Sequence, residues 1–451
     1  MSIREVERAD HARALPDVGP ARGRPAAGQR SSGTMRVAVL GQGYVGLHLA
    51  LRAAACGHDV VGFDVDPERV ARLANADPFV TDVPAEGLER ALASGCYRPT
   101  QSPADLSRFD VAVIAVPTPL AEGRPDLSAV EAAARLVARH LRRGALVVLE
   151  STSYPGTTEE VVLPLLEEGS GLVAGTDFRL AYSPERIDPG NTTWTFRSTP
   201  KLVSGIDPGS LRAACAFYGT LVDRVVPVSG TAEAELAKLL ENTFRHVNIA
   251  LVNEMAMLAA DLGIDIWEAI DAASTKPFGF MRFEPGPGVG GHCLPIDPVY
   301  LAWRVRCRLG RPFRFAELAG DVNAGMAGYV AGRLARGLER RGRALQGSRV
   351  LLLGVAYKPN VGDARESPAL ALAELLERAG ADVVAADPCL TETLPASLRL
   401  VEASPAELAA ADAVLLVTDH AAFDLAQVAR CARYVLDTRH RMPASPCVEH
   451  L

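Results

Sequence analysis

The chain has 451 residues, which is too long for one ordinary hydrophobic core and predicts two or three domains. Its hydrophobic content of 48% and charged content of 22% are typical of a soluble globular protein. A net charge of -7 argues against a general nucleic-acid or membrane-surface binder, because both partners are polyanionic and require a basic face. The eight cysteines include no CxxC pair, which argues against a disulfide framework or zinc ribbon and predicts a reducing, cytoplasmic setting. The apolar runs are shorter than the ~18 residues of a membrane helix, so no membrane span is expected.

Residues 1–34 are rich in Arg, Ala, Pro and Gly and are expected to form a disordered extension. From Met35, short aliphatic runs alternate with longer amphipathic ones. This pattern is typical of strands buried on both faces of a mostly parallel sheet, with helices between them. The runs predict a first α/β domain over residues 35–228 and are RVAVLG, HDVVGFD, DVAVIAVP, ALVVLES, RLAYSPE, KLVSGI and DRVVPV.

A long helix is predicted from Thr231 to about Gly263, because this stretch contains no Gly or Pro until its end. At 1.5 Å per residue it would be roughly 45 Å long, so we expect it to bridge domains or to form a dimer interface. It opens a central helical region assigned to residues 229–326. Its apolar residues recur at helical spacing and are Leu236, Leu239, Leu240, Phe244, Val247 and Leu251.

Strand-like runs return after a second helical stretch, AGYVAGRLARGLERRG, and predict a smaller α/β domain over residues 327–451. These runs are RVLLLGVAY, ADVVAAD, DAVLLVTD and RYVLD. The predicted fold class is therefore α/β, with two Rossmann-like doubly wound domains joined by a central helical region that contains one long helix.

A dinucleotide site is predicted where Gly41, Gly43 and Gly46 form GxGxxG directly after a strand and at the start of a helix. The first two glycines allow a tight turn and close approach to a pyrophosphate, which the helix N-terminus binds. Asp64 ends the next strand, 23 positions after Gly41, where a carboxylate can bind both ribose hydroxyls. That carboxylate would repel a 2'-phosphate, so NAD is favoured over NADP. FAD is a rival, disfavoured because the chain contains no segment typical of a large flavin domain.

Two further stretches carry residue types used in catalysis. SPERIDPGN places Glu185 and Arg186 just past a strand of the first domain, where ligands bind in open α/β sheets. AKLLENTF places Lys238 and Asn242 four residues apart and therefore on one helical face.

Cys293, in GVGGHCLPIDP, could be a metal ligand, a nucleophile or an inert packing residue. A zinc site needs three or four Cys and His ligands, and no second cluster completes a shell around His292 and Cys293, which argues against a metal. Four nearby glycines leave little side-chain packing, which argues against an inert cysteine. A thiolate in a chain with an NAD site favours oxidation of an aldehyde through a thioester.

Seven motifs in this order resemble those of the nucleotide-sugar 6-dehydrogenases, the UDP-glucose and GDP-mannose dehydrogenase family, from Met35 to about Met442. The resemblance implies that the first domain binds NAD, the central region forms a dimer, and the last domain binds the nucleotide diphosphate. It implies oxidation of a C6 alcohol to a carboxylate by two NAD in succession, with Cys293 forming a thiohemiacetal and then a thioester. The motifs are GQGYVG, VPTPL, ESTSYPGTTEE, SPERIDPGN, AKLLENTF, GVGGHCLPIDP and GVAYKPNVGDARESPA.

The resemblance also implies roles for the other catalytic candidates. Lys238 and Asn242 match positions that stabilise the developing oxyanion, a role suited to a cation and an amide donor. Asp297 matches an acid that helps to orient water or Lys238. Glu185 matches a glutamate that activates water for thioester hydrolysis, and Thr118 matches a threonine that hydrogen-bonds a catalytic water.

Binding residues are implied in the same way. Lys358 and Arg365 match residues that reach back from the last domain to substrate and NAD, and Arg439 is a further candidate. The cofactor-binding set is Gly41, Gly43, Tyr44, Val45, Gly46, Asp64, Pro117, Thr118, Ser151, Thr152 and Arg365. The substrate-binding set is Glu185, Arg186, Lys238, Asn242, Lys276, Gly290, Lys358 and Arg439.

Departures from the common UDP-glucose dehydrogenase pattern indicate the substrate branch. Pro189 replaces a second glutamate, and His292 and Ile296 replace a serine and a lysine. Together with TKPFGFM and PGPGVGG, these changes resemble the enzymes that oxidise UDP-N-acetylhexosamines, so the predicted substrate is UDP-N-acetylglucosamine or UDP-N-acetylmannosamine, with the former preferred. UDP-glucose and GDP-mannose are alternatives, and a non-catalytic protein that binds NAD and a nucleotide sugar is the alternative from another class. The expected partners are the UDP-sugar and a second copy of the chain.

Overall fold

A computed structural model describes residues 33–80, 83–188, 191, 193–291, 294–390, 394–395 and 398–451. Most of the predicted N-terminal extension lies outside the described residues. So do Pro189, His292 and Cys293. No helix in the described ranges is long and apolar enough to cross a membrane.

The first α/β region is built on an eight-stranded sheet within the described residues. In space the strands run β10-β9-β8-β7-β4-β1-β2-β3. The six from β3 to β8 have the order of a dinucleotide-binding fold, with the crevice between β1 and β4. The strands are β1 (Arg36–Leu40), β2 (Asp59–Phe63), β3 (Tyr97–Thr100), β4 (Val111–Ile114), β7 (Leu146–Leu149), β8 (Arg179–Tyr182), β9 (Lys201–Gly205) and β10 (Val225–Pro227).

Neighbouring strands of this sheet pair in parallel except for β8 and β9, which are antiparallel. Alternate residues of β1 enter cores on opposite faces: Val37 and Val39 pack on one side, Ala38 and Leu40 on the other. A sheet buried on both faces explains why its strands are continuous apolar runs. A separate hairpin joins β5 (Leu120–Ala121) and β6 (Arg124–Pro125).

The helices of this region cover the two faces of the sheet. Aspartates cap two of them, since the Asp66 and Asp207 side chains accept hydrogen bonds from first-turn amides. A π-helical turn over Thr158–Val162 leads into the fifth helix. The helices are α1 (Tyr44–Ala55), α2 (Pro67–Ala74), α3 (Ala85–Ala93), α4 (Ser128–His140), α5 (Leu163–Ser170) and α6 (Pro208–Tyr218), with a 3-10 turn at Pro103–Leu106.

The central region contains the predicted long helix, which runs over 32 residues from Thr231 to Leu262. Gly263 ends it in the left-handed conformation, with φ +70°. The helices of this region are α7 (Thr231–Leu262), α8 (Ile266–Ser274), α9 (Asp297–Leu309) and α10 (Arg314–Glu339). Both α9 and α10 pack against α7.

In the last region the described residues form a six-stranded, fully parallel sheet in the order β13-β12-β11-β14-β15-β16. Its strands are β11 (Arg349–Leu353), β12 (Asp382–Ala386), β13 (Arg399–Leu400), β14 (Ala413–Leu416), β15 (Val435–Asp437) and β16 (Val448–His450). Its helices are α11 (Pro368–Arg378), α12 (Pro405–Ala410) and α13 (Leu425–Cys431). Two Rossmann-like regions joined by helices confirm the predicted fold class.

The two sheets share one local geometry at their crevices. Gly41 follows β1 with φ +88°, and a side chain there would lie 2.4 Å from a backbone oxygen just past β4. Gly354 follows β11 with φ +85°, and a side chain there would lie 2.3 Å from a backbone oxygen just past β14. In each sheet an aspartate, Asp64 or Asp387, directly follows the second strand. The two sheets therefore share the same backbone path at this turn, a path that only glycine allows.

Every strand predicted from an apolar run is present, and the strands that sequence reasoning missed are short or carry few aliphatic residues. The missed strands are β3, β5, β6, β13 and β16. The second helical stretch also begins earlier than predicted, at Arg314, so the predicted boundary between residues 326 and 327 falls inside α10. The second half of α10 packs in the core of the last region through Val330, Leu334 and Leu338.

Candidate active site

The predicted dinucleotide loop has the geometry that a bound pyrophosphate requires. Gly41 cannot carry a side chain, for the reason given above, and a side chain at Gly46 would lie 1.8 Å from the Gly41 carbonyl oxygen. A side chain at Gly43 would meet nothing within 4 Å among the described residues, so this side of the loop is open. Gly43 also stands at the N-cap of α1, and having no side chain it leaves the helix N-terminus accessible to an anion.

Asp64 is buried beside this loop and is hydrogen-bonded on both oxygens. It accepts from the backbone amides of Gln42 at 2.7 Å and Asp66 at 3.0 Å, and from Arg69 Nη1 at 3.0 Å. The Arg69 side chain is 35% exposed, whereas that of Asp64 is 3% exposed. The glycine loop and this carboxylate therefore fit the adenosine end of NAD.

In the second sheet the equivalent carboxylate, that of Asp387, is already hydrogen-bonded to neighbouring protein groups. Asp387 accepts from the backbone amides of Val355 at 2.7 Å, Ala356 at 2.8 Å and Cys389 at 2.9 Å. It also pairs with the buried His420 ring at 3.0 Å. Although burial opposes its ionisation, the hydrogen bonds from His420 and the amides lower the pKa of Asp387 to about 2. The second crevice therefore uses its aspartate to hold its own loop.

Two loops border the nicotinamide side of the predicted NAD site. Ser151, just past β7, donates its hydroxyl hydrogen bond to the Val116 carbonyl at 2.7 Å. Thr118 is buried in the loop after β4, with Pro117 exposed before it and the hydroxyl of Tyr300 donating to the next residue's carbonyl. These loops lie at the carboxyl edge of the sheet, the edge where ligands bind in such folds.

Lys238, Asn242 and Asp297 come together where α9 begins against α7, and we call them the Lys238 cluster. Asn242 Nδ2 donates to Asp297 Oδ2 at 2.5 Å, and all three residues are buried. Burial raises the pKa of Asp297 to about 6, although the nearby Lys238 ammonium and the Asn242 hydrogen bond act to lower it. Three residues predicted from two separate motifs thus form one polar group.

Glu185 lies at the same sheet edge but is already engaged by protein groups. Its Oε1 accepts from the backbone amides of Arg186 and Ile187, and its Oε2 accepts from Lys201 Nζ at 2.8 Å. The side chain of Arg186 pairs with Glu241 on α7 at 2.7 Å. Arg186 is therefore tied to the protein rather than directed to solvent.

Three predicted binding residues of the last domain contact other regions, since Lys358 contacts the first domain and Arg439 and Arg365 contact the central region. Lys358 Nζ donates to Asp188 Oδ1 at 2.5 Å, three residues past Glu185. Arg439 is partly buried, donates from Nε to the Val417 carbonyl at 2.7 Å, and lies against Gly286, where a side chain would be 2.7 Å from Arg439 Nη1. Arg365 accepts a hydrogen bond at its carbonyl from the Gly291 amide at 3.1 Å.

The glycine-rich segment before Cys293 packs more tightly than the sequence indicated. A side chain at Gly290 would lie 2.7 Å from the Glu366 carbonyl oxygen and 2.9 Å from Tyr357 Cβ. Gly291 has φ +81°, and a side chain there would lie 2.8 Å from the Tyr357 ring. These two glycines are therefore required by contact with the last domain, and not only by access for a ligand.

Cys293 and Lys276, two residues predicted from the sequence, are not placed near the Lys238 cluster by the structure. Cys293 lies outside the described residues, so its position relative to the Lys238 cluster stays a prediction. Lys276 lies on an exposed segment, with its ammonium 5.1 Å from the centre of the Phe278 ring.

Comparison with known proteins decides the family. Three models of one family match the chain in order: the UDP-glucose/GDP-mannose dehydrogenase family NAD binding domain over residues 35–222, its central domain over 232–325 and its UDP binding domain over 351–443. This chain belongs to the UDP-glucose/GDP-mannose dehydrogenase family. It is an NAD-dependent nucleotide-sugar dehydrogenase, as the sequence predicted.

Relatives of this dehydrogenase match over most of their length. A UDP-N-acetyl-D-mannosamine dehydrogenase of Pyrococcus horikoshii is 37% identical over 390 residues, which cover 86% of this chain and 90% of the relative. A UDP-N-acetyl-D-glucosamine 6-dehydrogenase of Pseudomonas aeruginosa is 34% identical over 392 residues, covering 86% and 91%. The solved structure of a UDP-glucose dehydrogenase from Pyrobaculum islandicum has a TM-score of 0.81 and 31% identity, covering 94% of this chain and all of that one.

Sequence reasoning missed several residues that shape the site of this dehydrogenase. Glu150, Lys201 and Glu235 are charged residues that are almost fully buried, and Tyr357 packs on the glycine-rich segment. The signal for Lys201 and Glu150 was present, since each is a charge at the end of an apolar strand run. It could not be interpreted without knowing which strands are neighbours.

Proposed function

We propose that this dehydrogenase oxidises the C6 alcohol of a UDP-N-acetylhexosamine to the carboxylate in two NAD-dependent steps. The observation that carries the proposal is the Lys238 cluster, a buried cation, amide and carboxyl, of which the carboxyl residue Asp297 lies four residues after Cys293 in the sequence. Bound NAD supplies the hydride acceptor for each step. The cluster provides the polar groups that an alkoxide and an oxyanion need in a buried site.

Each residue of the cluster has a distinct task in the proposal. Lys238 and Asn242 donate hydrogen bonds to the substrate oxygen as it becomes negatively charged. Asp297 holds the Asn242 amide in place through its hydrogen bond, and its raised pKa suits it to exchange protons near neutral pH. Cys293 adds to the aldehyde-level carbon, so that the second oxidation yields a thioester and the aldehyde is not released.

Hydrolysis of that thioester is assigned to Glu185 as base, with Thr118 positioning the water. The substrate is proposed to be bound by Lys358, Arg439 and Gly290, and also by Lys276 from its exposed segment. NAD is proposed to be bound by Arg365 of the last domain. The contact between Lys358 and Asp188 supports this, because it brings a last-domain lysine three residues from Glu185. The site would thus lie between the first domain, over residues 35–228, and the last domain, whose start we place within α10.

The sugar is proposed to carry an acetamido group. The motifs of the sequence favour UDP-N-acetylglucosamine as the substrate, and the P. aeruginosa relative is named as a UDP-N-acetyl-D-glucosamine 6-dehydrogenase. The P. horikoshii relative, at 37% identity, makes UDP-N-acetylmannosamine the second candidate. UDP-glucose and GDP-mannose remain comparison substrates.

A homodimer is proposed on the outer face of α7. This face exposes large apolar side chains while the opposite face buries Lys238, Asn242, His246 and Asn253. An exposed apolar stripe along a helix of this length is typical of a protein interface. Its members are Leu236, Leu240, Phe244, Leu251, Met255, Leu258 and Leu262.

The test is a panel of the four nucleotide sugars with NAD, measuring initial rates and the NADH formed per sugar. We expect two NADH per sugar and the highest kcat/KM with an acetamido sugar, and Cys293→Ala should form no acid while remaining folded. A kcat/KM for UDP-glucose equal to the acetamido values would refute the sugar assignment. Unchanged turnover in Cys293→Ala would refute the thioester.

A further inference from the structure

The antiparallel pairing of β8 and β9 brings a lysine to the catalytic edge of the first sheet. Tyr182 at the end of β8 pairs with Ser204 of β9. Continuing this register by three residues brings Lys201, the first residue of β9, opposite Glu185. Glu150 follows β7, which lies on the other side of β8. Three charged residues from three neighbouring strands therefore meet at one edge.

Lys201 bridges the two carboxylates away from water. Its Nζ donates to Glu150 Oε1 at 2.6 Å and to Glu185 Oε2 at 2.8 Å. The side chains are 4% exposed for Lys201, 0% for Glu150 and 11% for Glu185, so only Glu185 reaches the edge of the site. The rings of Phe196 and Tyr218 lie 5.3 and 5.4 Å from the ammonium. The ammonium is thus enclosed by its two carboxylates and two aromatic rings.

The two carboxylates differ in how fully they are hydrogen-bonded. Glu185 accepts two backbone amides and Lys201, so one of its roughly four acceptor positions remains for water. Glu150 Oε1 also accepts from the Tyr218 hydroxyl at 2.9 Å. Glu150 Oε2 is buried and has no partner among the described residues. Glu150 therefore has spare acceptor capacity but no access to substrate.

We propose that Lys201 and Glu150 are positioning residues that set the basicity of Glu185, with Glu150 remaining as the counter-ion of Lys201 whenever Glu185 accepts a proton. The proposal rests on the function assigned to Glu185 above. With both carboxylates ionised, the group carries one net negative charge in a buried place, so uptake of one proton makes it neutral. Without Glu150, protonation of Glu185 would leave a buried ammonium unpaired, which is strongly unfavourable.

The step served is hydrolysis of the thioester. A water oxygen bonds to the thioester carbon and gives one proton to Glu185. The carbon–sulfur bond breaks, and sulfur leaves with the electron pair as the Cys293 thiolate. Glu185 then releases its proton to solvent, and Lys201 returns to bridging two carboxylates. No oxidant or reductant takes part.

In the ligand-free protein the surrounding charges favour a proton on Glu150 over Glu185, so Glu185 is assigned the water proton by its position at the edge of the site. Burial raises the pKa of Glu150, whereas for Glu185 the effect of burial is outweighed by Lys201 and two amides, which lower its pKa. The other titratable groups nearby are the phenols of Tyr182 on β8 and Tyr218 on α6, and the Arg186–Glu241 ion pair that leads to α7. The bridging ammonium of Lys201 contacts both carboxylates directly.

The experiment compares wild type with Glu150→Gln, Lys201→Met and Lys201→Arg. Steady-state rates with the sugar that gives the best wild-type rate are measured against pH, and acid-quenched protein is analysed by mass spectrometry for the acyl adduct. In Glu150→Gln we expect the acid limb of the pH–rate profile to move about one unit to lower pH. The rate on the plateau of the profile should be about tenfold lower, and the acyl adduct should accumulate. In Lys201→Met the limb should move about one unit to higher pH, because an ammonium is lost. Lys201→Arg should stay near wild type.

Opposite shifts are the result that a merely structural role would not produce. Rates that fall in both variants with unmoved limbs would overturn the proposal. If Lys201→Met does not fold, the double variant Lys201→Met with Glu150→Gln removes one positive and one negative charge, so the two opposite shifts should offset each other and its limb should lie near that of wild type. Infrared titration of the ligand-free proteins, following the carbonyl band of protonated carboxyls, must show the same opposite shifts. A wild type that reduces no NAD with any sugar would refute the proposed function, while this titration would still decide the role of Lys201 and Glu150.

Discussion

Asn242 on α7 donates a hydrogen bond to the buried carboxylate of Asp297 at the start of α9. Burial raises the pKa of Asp297 to about 6, so the folded chain binds this proton more tightly than the unfolded chain. The free energy of unfolding should therefore fall as pH rises from about 4 to about 6, and it should stay at the lower value above that range, where Asp297 is ionised in both the folded and the unfolded chain.

We expect Asp297→Asn to raise the free energy of unfolding at pH 8 by on the order of 2 kcal/mol, with no gain at pH 4, while abolishing turnover. Urea unfolding at the two pH values measures this. Asp321→Asn, an exposed site on α10, is the control and should show no pH-dependent gain. Equal destabilisation of Asp297→Asn at both pH values would contradict the assignment.

Glu235 lies near the start of α7 and connects this helix to the loop after Ser151. Its carboxylate accepts from the Gly156 amide at 2.6 Å, the Thr158 amide at 2.9 Å and the Thr158 hydroxyl at 2.7 Å. Glu235→Ala leaves buried donors unpaired, so we expect a loss of about 3 kcal/mol in the free energy of unfolding. The neighbouring Glu233 is exposed, and Glu233→Ala should change it by less than about 0.5 kcal/mol. Equal effects in the two variants would show that the buried hydrogen bonds contribute nothing.

How far the sequence predicts this molecule depends on the range of the interaction involved. Apolar runs and the absence of helix breakers predict the main strands and α7, because burial of a strand or a helix face leaves a local pattern. The contact of Asn242 with Asp297 joins residues 55 positions apart, and the residue types alone did not reveal it. Lys201 was passed over because its partners depend on an antiparallel neighbour in an otherwise parallel run of strands. The Tyr357 contact was missed because a glycine required by packing and one required by a ligand look alike in sequence.

Asp64 should determine the choice of dinucleotide. Asp64→Ser removes the acceptor for ribose hydroxyls and releases Arg69, whose guanidinium now pairs with Asp64 at 3.0 Å. We expect the preference for NAD over NADP, as a ratio of kcat/KM values, to fall at least about tenfold, which is ~1.4 kcal/mol. Asp66→Ser is the matched control, because serine can still cap α2 and the preference should not change. An unaltered ratio in Asp64→Ser would mean that another group reads the ribose.

Gly291 should tolerate no side chain. Gly291→Ala would combine a left-handed backbone with a contact 2.8 Å from the Tyr357 ring, so the segment leading to Cys293 must shift. We expect kcat to fall at least about tenfold, because small displacements of reacting groups are costly. Gly310→Ala, with φ +64° and open space around it, carries only the backbone strain and should retain activity. Gly291→Ala combined with Tyr357→Ala should recover part of the loss if the ring contact is its cause.

The exposed apolar face of α7 should hold two copies of the chain together. Leu240 and Leu251 are 62% and 55% exposed on this face, so replacing both with glutamate would bury charges in the interface of a dimer. We expect the double variant to sediment as a monomer of 47.8 kDa, whereas wild type sediments as a dimer. Glu254→Ala changes an exposed polar residue of the same helix and should leave the dimer intact. A monomeric wild type would refute the proposed dimer, and a double variant that stays dimeric would place the interface on another surface.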